Sequence, residues 1–487
     1  MSHQHDPAGP AGVPLAAAAA APLAGPAPRS PWAYIPTLYF AEGVPYILIN
    51  TVSVILYTRL GIDNATMAFW TSWLYLPWVI KMFWGPLVDV VSTKRRWILG
   101  TQIALFAVFA FVAFSLGWEH FFAASLAGFI TGAFISATHD IAVDGFYMLA
   151  LDKADQAFFV GIRSTFYRIA MIFGSGLLVY TAGRLEQLPP ATAGAAAEAS
   201  APAPLDAYSQ VLRSIVLAVG AEPGNRVQAW MLVFGAVAVL FLLIALYHAL
   251  ILPYPKGDGE GPAAQEGSGG ERVSFAEAIG SYFRQPGIGR ILAFILLYRF
   301  GEAMLVKLAS PFLLASPADG GLGLQTDEVG VAYGTIGLLS LVFGGILGGM
   351  AIAKYGFRRC IWPMACAMNI PDVFYVLMAY YHPPKALAYL LIAIEQFGYG
   401  FGFTAFTVYL MYICVGQYKT SHFAISTGIM ALGMMLPGFI SGYVQQALGY
   451  PRFFIFVCLC TIPGFLVIPF ILRDPRIDEG ENAARGG

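Results

Sequence analysis

Charge is the scarcest commodity in this chain. Only 11% of its 487 residues are Asp, Glu, Lys or Arg, less than half of the roughly 25% that soluble domains carry. With 58% hydrophobic residues, that deficit excludes an ordinary soluble globule and indicates a polytopic α-helical membrane protein. A net charge of −1 gives no basic surface for a nucleic-acid partner. Cysteine is sparse too. Cys360, Cys366, Cys414, Cys458 and Cys460 fall in or beside apolar segments, and none has metal-like spacing with histidines, so they read as buried, reduced thiols. No phosphate loop, Walker-type motif, metal set or nucleophilic triad is visible, which argues against a primary pump and against an enzyme. No cofactor and no metal are expected.

What the chain has in quantity is apolar runs of spanning length. Twelve can be placed, near 33–58, 66–90, 97–117, 121–149, 158–182, 228–252, 288–314, 327–353, 359–381, 385–413, 420–446 and 450–472. Residues 1–30 are rich in Ala, Pro and Gly and read as a disordered cytoplasmic tail. Their apolar run Val13 to Ala24 lacks a basic n-region and is broken by prolines, so it reads as part of that tail rather than as a signal peptide. Residues 183–227 and 253–287 are the long connections; in the second, Ser274-Phe-Ala-Glu277 looks like a capping box opening a short surface helix. The domains follow: a six-helix bundle over 31–252, a cytoplasmic linker over 253–287, a second six-helix bundle over 288–473 and a tail over 474–487. Basic residues divide 16 to 6 in favour of the loops on the side of the termini, which predicts both termini inside.

A weak internal repeat supports the two halves. Tyr39-Phe-Ala-Glu42 in the first segment matches Arg299-Phe-Gly-Glu302 in the seventh. The loop Asp89-Val-Val-Ser-Thr-Lys94-Arg-Arg-Trp97 matches Lys354-Tyr-Gly-Phe-Arg358-Arg-Cys-Ile-Trp362. Gly85-Pro-Leu-Val-Asp89 followed by its basic run resembles the cytoplasmic loop motif between helices 2 and 3 of the major facilitator superfamily, although the usual Gly between the basic residues is absent. The expected fold is therefore an all-α major facilitator fold, twelve transmembrane helices in two bundles around a central cavity.

The few charges inside the apolar runs are the candidate functional residues, because a charge at membrane depth costs about 3 kcal/mol or more and survives for function or pairing. Asp140 and Asp144 lie four apart on one helix face. A helix rises about 1.5 Å per residue, so distance to the cytoplasmic end gives depth. Depth matching couples Glu42 with Lys81, Asp144 with Arg163 and Asp140 with Arg168. Arg299 and Glu302 share a face, with Lys307 further out. Glu42, Asp140, Asp144 and Glu302 are candidates for proton coupling or gating. Lys81, Arg168, Arg299, Tyr39, Tyr147 and Gln396 are candidates for substrate contact, and Asp89, Lys94, Arg95 and Arg163 for a cytoplasmic gate. Helical phase adds Tyr46, Trp73, Tyr75, Tyr167, Tyr298, Tyr399 and Tyr409, a set of rings and hydroxyls suited to a saccharide. His139, Asp372, His422 and Glu395 read as hydrogen-bonded packing residues, with a proton relay through His139 and a cavity place for Glu395 as the alternatives.

Three stretches carry a more specific resemblance: Ala41-Glu-Gly-Val-Pro45, Lys81-Met-Phe-Trp-Gly-Pro-Leu-Val-Asp89 and Ser136-Ala-Thr-His-Asp140-Ile-Ala-Val-Asp144. They resemble the AmpG-type muropeptide permeases, a branch of the superfamily shared with acetyl-CoA transporters. The similarity is clearest from about Tyr34 to Ala182. It implies a proton-driven importer of anhydromuropeptides in the bacterial inner membrane, and it places the family's helix 4 aspartate pair on Asp140 and Asp144; a monomer is expected. His139 stands where others have Gln, and Glu42 replaces a small residue. A different saccharide, another anionic metabolite such as an acetyl-CoA-like compound, and a non-transporting sensor on the same scaffold remain as alternatives.

Overall fold

The computed structural model describes residues 30–190, 205–255, 258, 275–414 and 418–485. The expected N-terminal tail, most of the linker and Ser274 of the capping box lie outside the described residues.

α1 is Pro31–Arg59. α2, residues 64–91, is broken into Asn64–Ser72, Leu76–Ile80 and Gly85–Val91 by short 3₁₀ turns. α3 to α6 are Lys94–Ser115, Phe121–Ala150, Ala154–Glu186 and Arg226–Ile251. α7, residues 288–314, is interrupted at Tyr298 and Arg299, between Ile288–Leu297 and Phe300–Leu314. α8 to α10 are Thr326–Tyr355, Phe357–Tyr381 and Lys385–Tyr412. α11, residues 419–448, and α12, residues 450–471, form one kinked run with Gly449 between them. Gly449 holds φ 72°, a left-handed backbone that glycine adopts without strain.

Among the described residues nine helices are long and apolar enough to cross a membrane, against twelve segments expected. The broken α2 and α7 fall below the length, and α11 and α12 count together. The physical reason is local. Proline and the 3₁₀ turns interrupt α2, and Arg299, with φ −115° and ψ 14°, leaves helical geometry in α7. The long connection over 183–227 contains a helix, Ala207–Ala218, and α5 continues to Glu186. Phe275–Phe283 forms a helix where the short surface helix was expected.

Helix starts follow from their caps. The side chains of Asp63, Thr93, Asp152 and Asn225 each accept a backbone N–H three residues on. In the first half, α3, α4 and α6 pack through Phe109, Phe129, Phe234 and Phe241. That core holds one polar knot. The Gln102 amide meets His139 at 3.1 Å and His248 at 2.9 Å, and His248 meets Thr37 at 2.9 Å. His139 is fully buried, with its Nδ1 unpartnered. In the second half α8 lies hard on α10. A Cβ at Gly344 would sit 2.1 Å from the Phe397 carbonyl, so only glycine permits that approach.

The halves are clasped at the end of the bundle away from the termini. Asn64 donates to Gln445 and to Tyr450, both at 2.8 Å, and Gln446 donates to Asp63 at 2.7 Å. Thr326 donates to Glu186 at 2.8 Å and Gln187 to Asp327 at 2.6 Å. Just inside this clasp α5 and α8 each carry a π-helical turn, Phe173–Leu178 and Ala332–Gly337. The two turns touch backbone to backbone: a Cβ at Gly334 would lie 1.9 Å from the Ser175 carbonyl oxygen.

Candidate functional site

Between the halves, inside the clasp, lies a cavity of about 570 Å³, within the usual range for small-molecule sites. α1 contributes Tyr39, Glu42 and Tyr46, α2 contributes Tyr75, Trp78 and Lys81, α4 contributes Asp144, and α5 contributes Arg163, Tyr167 and Arg168. The second half supplies Arg299 from α7, Tyr333 from α8, Gln396 and Tyr399 from α10, and Thr427, Met430 and Met434 from α11. Rings and methionines give apolar faces, and hydroxyls, an amide and guanidinium groups give a polar rim.

The carboxylates of α4 anchor one wall. Asp144 Oδ1 accepts from Arg163 at 3.0 Å and from the Tyr39 hydroxyl at 3.0 Å, while Arg163 also donates to that hydroxyl at 3.0 Å. The Arg163 guanidinium lies over the rings of Tyr39 and Tyr147. This is the partner that depth matching expects for Asp144. Asp140 has a different one. It forms its ion pair with Lys81 from α2, not with Arg168, and Lys81 in turn does not pair with Glu42. The breaks in α2 explain the miss, because a segmented helix does not keep one rise per residue or one phase. Exposure falls along α4: the Asp144 side chain is 48% exposed and the Asp140 side chain 15%. The deeper carboxylate is the drier one.

Glu42 is buried beside this pair, within electrostatic reach of Asp140, Asp144 and Lys81, and its Oε2 has no hydrogen-bond partner. Across the cavity, Arg299 donates to the Tyr399 hydroxyl and stacks over Phe403. Among the described residues neither Arg168 nor Arg299 forms an ion pair. Behind this wall sit three fully buried carboxylates. Glu302 and Asp372 have no hydrogen-bond partner on either oxygen. Glu395 accepts from Tyr375 at 3.4 Å and from the Gln396 amide at 3.1 Å and 3.2 Å. Gln396 therefore lines the cavity on one side and touches Glu395 on the other.

Several expected residues lie elsewhere. Tyr147 does not line the cavity; its ring supports Arg163 and its hydroxyl donates to the Gln156 carbonyl. Tyr298 and Tyr409 sit in the core of the second half, and Trp73 packs on Phe439. Glu302 is behind the wall rather than on it. Asp372 is buried but not hydrogen-bonded, contrary to a satisfied packing role. His422 meets Ser281 at 2.8 Å from the surface helix. At the end that carries the termini, the backbone N–H groups of Lys94 and Arg95 donate to Asp258 at 2.6 Å and 3.2 Å. The Arg95 side chain reaches the Leu252 and Ala249 carbonyls at the end of α6. The loop between α2 and α3 is thus tied to α6 and the linker within its own half. The side chain of Asp89 lies outside the described residues. Trp78, Tyr333 and the clasp residues Asn64, Glu186, Thr326 and Gln445 escape sequence reasoning. Their types are ordinary for loops and helix ends, and only the meeting of the halves gives them a role.

Three comparisons place this geometry. The profile of the Major Facilitator Superfamily matches residues 36–418. The anhydromuropeptide permease of Escherichia coli (strain K12) is 24% identical over 447 residues, covering 91% of this chain and 79% of that protein. A putative transporter, AmpG 2, of Rickettsia typhi is 21% identical, covering 90% of this chain and 95% of its own length. Among solved structures, the nucleoside transporter NupG superposes with a TM-score of 0.61 at 14% identity, covering 89% of this chain and 98% of that one. A D-xylose-proton symporter gives 0.61 at 15% identity, covering 90% and 96%. At such identities the structural likeness speaks for the fold.

Proposed function

We propose that this chain, which belongs to the major facilitator superfamily, imports anhydromuropeptides or closely related amino-sugar wall fragments by proton-coupled alternating access. The family makes it a multi-pass membrane carrier rather than an enzyme. The observation that carries the substrate reading is the cavity wall itself. Tyr46, Tyr75, Trp78, Tyr167, Tyr333 and Tyr399 offer ring faces and hydroxyls for sugar units, and Arg168 and Arg299 offer guanidinium groups that form no ion pair among the described residues. A ligand with apolar sugar faces and free carboxylates satisfies both. The relatives named as anhydromuropeptide permeases favour the same class.

In this reading twelve segments cross the bacterial inner membrane in two bundles of six, with both termini in the cytoplasm, and the chain acts as a monomer. The clasped end then faces outward and the conformer is open to the cytoplasm. The exposure gradient along α4 supports that orientation of the opening. Glu42, Asp140, Asp144 and Glu302 carry or respond to the coupling proton. A carboxylate close to a cation binds its proton weakly and one that loses the cation binds it strongly. Rearranging Lys81 or Arg163 between states therefore loads or unloads Asp140 and Asp144. Arg163 with Asp89, Lys94 and Arg95 forms the cytoplasmic gate, and Lys81, Arg168, Arg299, Tyr39 and Gln396 hold substrate, with Tyr147 acting through Arg163.

The test is uptake in proteoliposomes. Labelled anhydromuropeptide should accumulate under an inside-alkaline gradient and should not when a protonophore collapses it. Accumulation no greater than in protein-free liposomes rejects the substrate, and accumulation indifferent to the protonophore rejects proton coupling.

A further inference from the structure

Among the described residues, Lys307 is a membrane-depth cation to which the proposed transport cycle gives no task. It projects from α7 across the interface between the halves. Its Nζ lies 3.1 Å from the Thr71 hydroxyl of α2 and 5.5 Å from the centre of the Tyr75 ring. The residue is 5% exposed. Its stem passes Gly438 of α11 so closely that a Cβ there would lie 3.1 Å from the lysine Cε. Among the described residues no charged side chain bears on it and none pairs with it. An ammonium held at that depth by one neutral hydroxyl is costly, and a strut between the halves needs no charge.

Lys307 lines a small cavity of about 20 Å³, which shares Thr51, Tyr75, Val306 and Met434 with the large one. The small cavity is therefore the clasped-end extension of the substrate site. Asn50, 4% exposed, lines it as well, and its Oδ1 has no partner. A space of that size holds about one water molecule. It does not hold a carboxylate with its carrier while the halves are clasped. If parting the clasp carries α2 away from α7, Thr71 leaves Lys307 and this pocket widens towards the opening end.

We infer that Lys307 is an anion subsite that binds a carboxylate of the incoming cargo when the clasped end opens, and that Thr71 takes over its ammonium as the halves close and the cargo moves into the main cavity. The inference rests on the proposed carriage of carboxylate-bearing saccharides and adds a recognition site on the entry side. The Thr71 hydroxyl then leaves Lys307 one hydrogen-bond partner after the carboxylate departs, so that closing does not strand the amine without any contact.

The experiment compares uptake of an anhydromuropeptide with that of the same compound with its carboxylates amidated, in proteoliposomes loaded with the full chain. Losing one charge-assisted contact corresponds to about tenfold in affinity. Lys307→Met should raise KM for the carboxylate form by about that factor and change KM for the amidated form less than about twofold. Lys307→Arg should keep the preference, and Thr71→Val, which leaves the ammonium in place, should keep it too. Lys307→Gln serves as a second neutral variant where Lys307→Met fails to assemble. Equal effects of the neutral variants on the two compounds, or no effect on either, overturn the inference while leaving the carrier reading intact. Transport of neither compound by the unaltered chain rejects the carrier reading for this substrate and the inference with it.

Discussion

Thr326→Val isolates one strut of the clasp. The threonine hydroxyl donates to Glu186 at 2.8 Å, and this bond crosses from the second half to the first. Glu186 is otherwise anchored within its own half: it accepts from Arg59 Nη2 at 2.5 Å, from Arg59 Nε at 3.1 Å and from Trp230 at 2.9 Å. The carboxylate therefore keeps its charge compensation when Thr326 loses its hydroxyl, and valine keeps the shape. Hydrogen bonds to charged groups contribute about 1.5–3 kcal/mol net, and three remaining donors place this one at the lower end. Every ~1.4 kcal/mol is a factor of ten, so the ratio of unclasped to clasped protein should rise about tenfold. Spin labels on Glu119→Cys and Ala386→Cys, exposed positions in the first and second halves, report the separation in a background without the native cysteines. The long-distance population should grow by that factor, with little change in thermal stability because no bond within a half is removed. An unchanged distance distribution refutes the idea that Thr326 and Glu186 hold the halves together. A large fall in melting temperature would show that the bond belongs to the fold rather than to the state.

Gly334→Ala should disfavour the same clasped state by contact rather than by lost attraction, since its Cβ would fall 1.9 Å from the Ser175 carbonyl oxygen; the same labels should report opening. Lys81→Met and Asp140→Asn should each lower stability and uptake by an amount of order 1–3 kcal/mol, discounted for partial exposure, and the double variant should recover stability because no unpaired charge remains. Thermal melts and uptake on the three proteins check this, and a strictly additive double variant argues against the pair. His139→Leu should lower the melting temperature by breaking the knot with Gln102 while leaving the pH dependence of uptake unchanged; a shifted pH profile would make His139 part of the proton path.

The parts of the site that were legible beforehand share a physical basis. Asp140 and Asp144 stand out because charge in an apolar run is expensive, and Asp144 finds Arg163 because α4 and α5 run continuously at known rise. The partner of Asp140 was not legible, since Lys81 arrives from a helix segmented by Pro77 and the turns around it. Tyr46, Tyr75, Tyr167 and Tyr399 reach the cavity as helical phase expects, but Tyr298, next to the break in α7, turns into the core instead, where its hydroxyl meets the Gly402 carbonyl. Periodicity locates a face only as long as the helix stays regular.

By itself the sequence determined the class of the protein and the rarity of its buried charges. Those properties depend on composition and on contacts close along the chain, which a periodic pattern records. Tertiary structure alone decided that Asp140 pairs with Lys81, that Tyr298 turns into the core, and that Asn64, Glu186, Thr326 and Lys307 join the two halves. The contacts that join the halves link residues at least 140 positions apart. No local pattern encodes such meetings, because each depends on how two separately folded bundles approach each other.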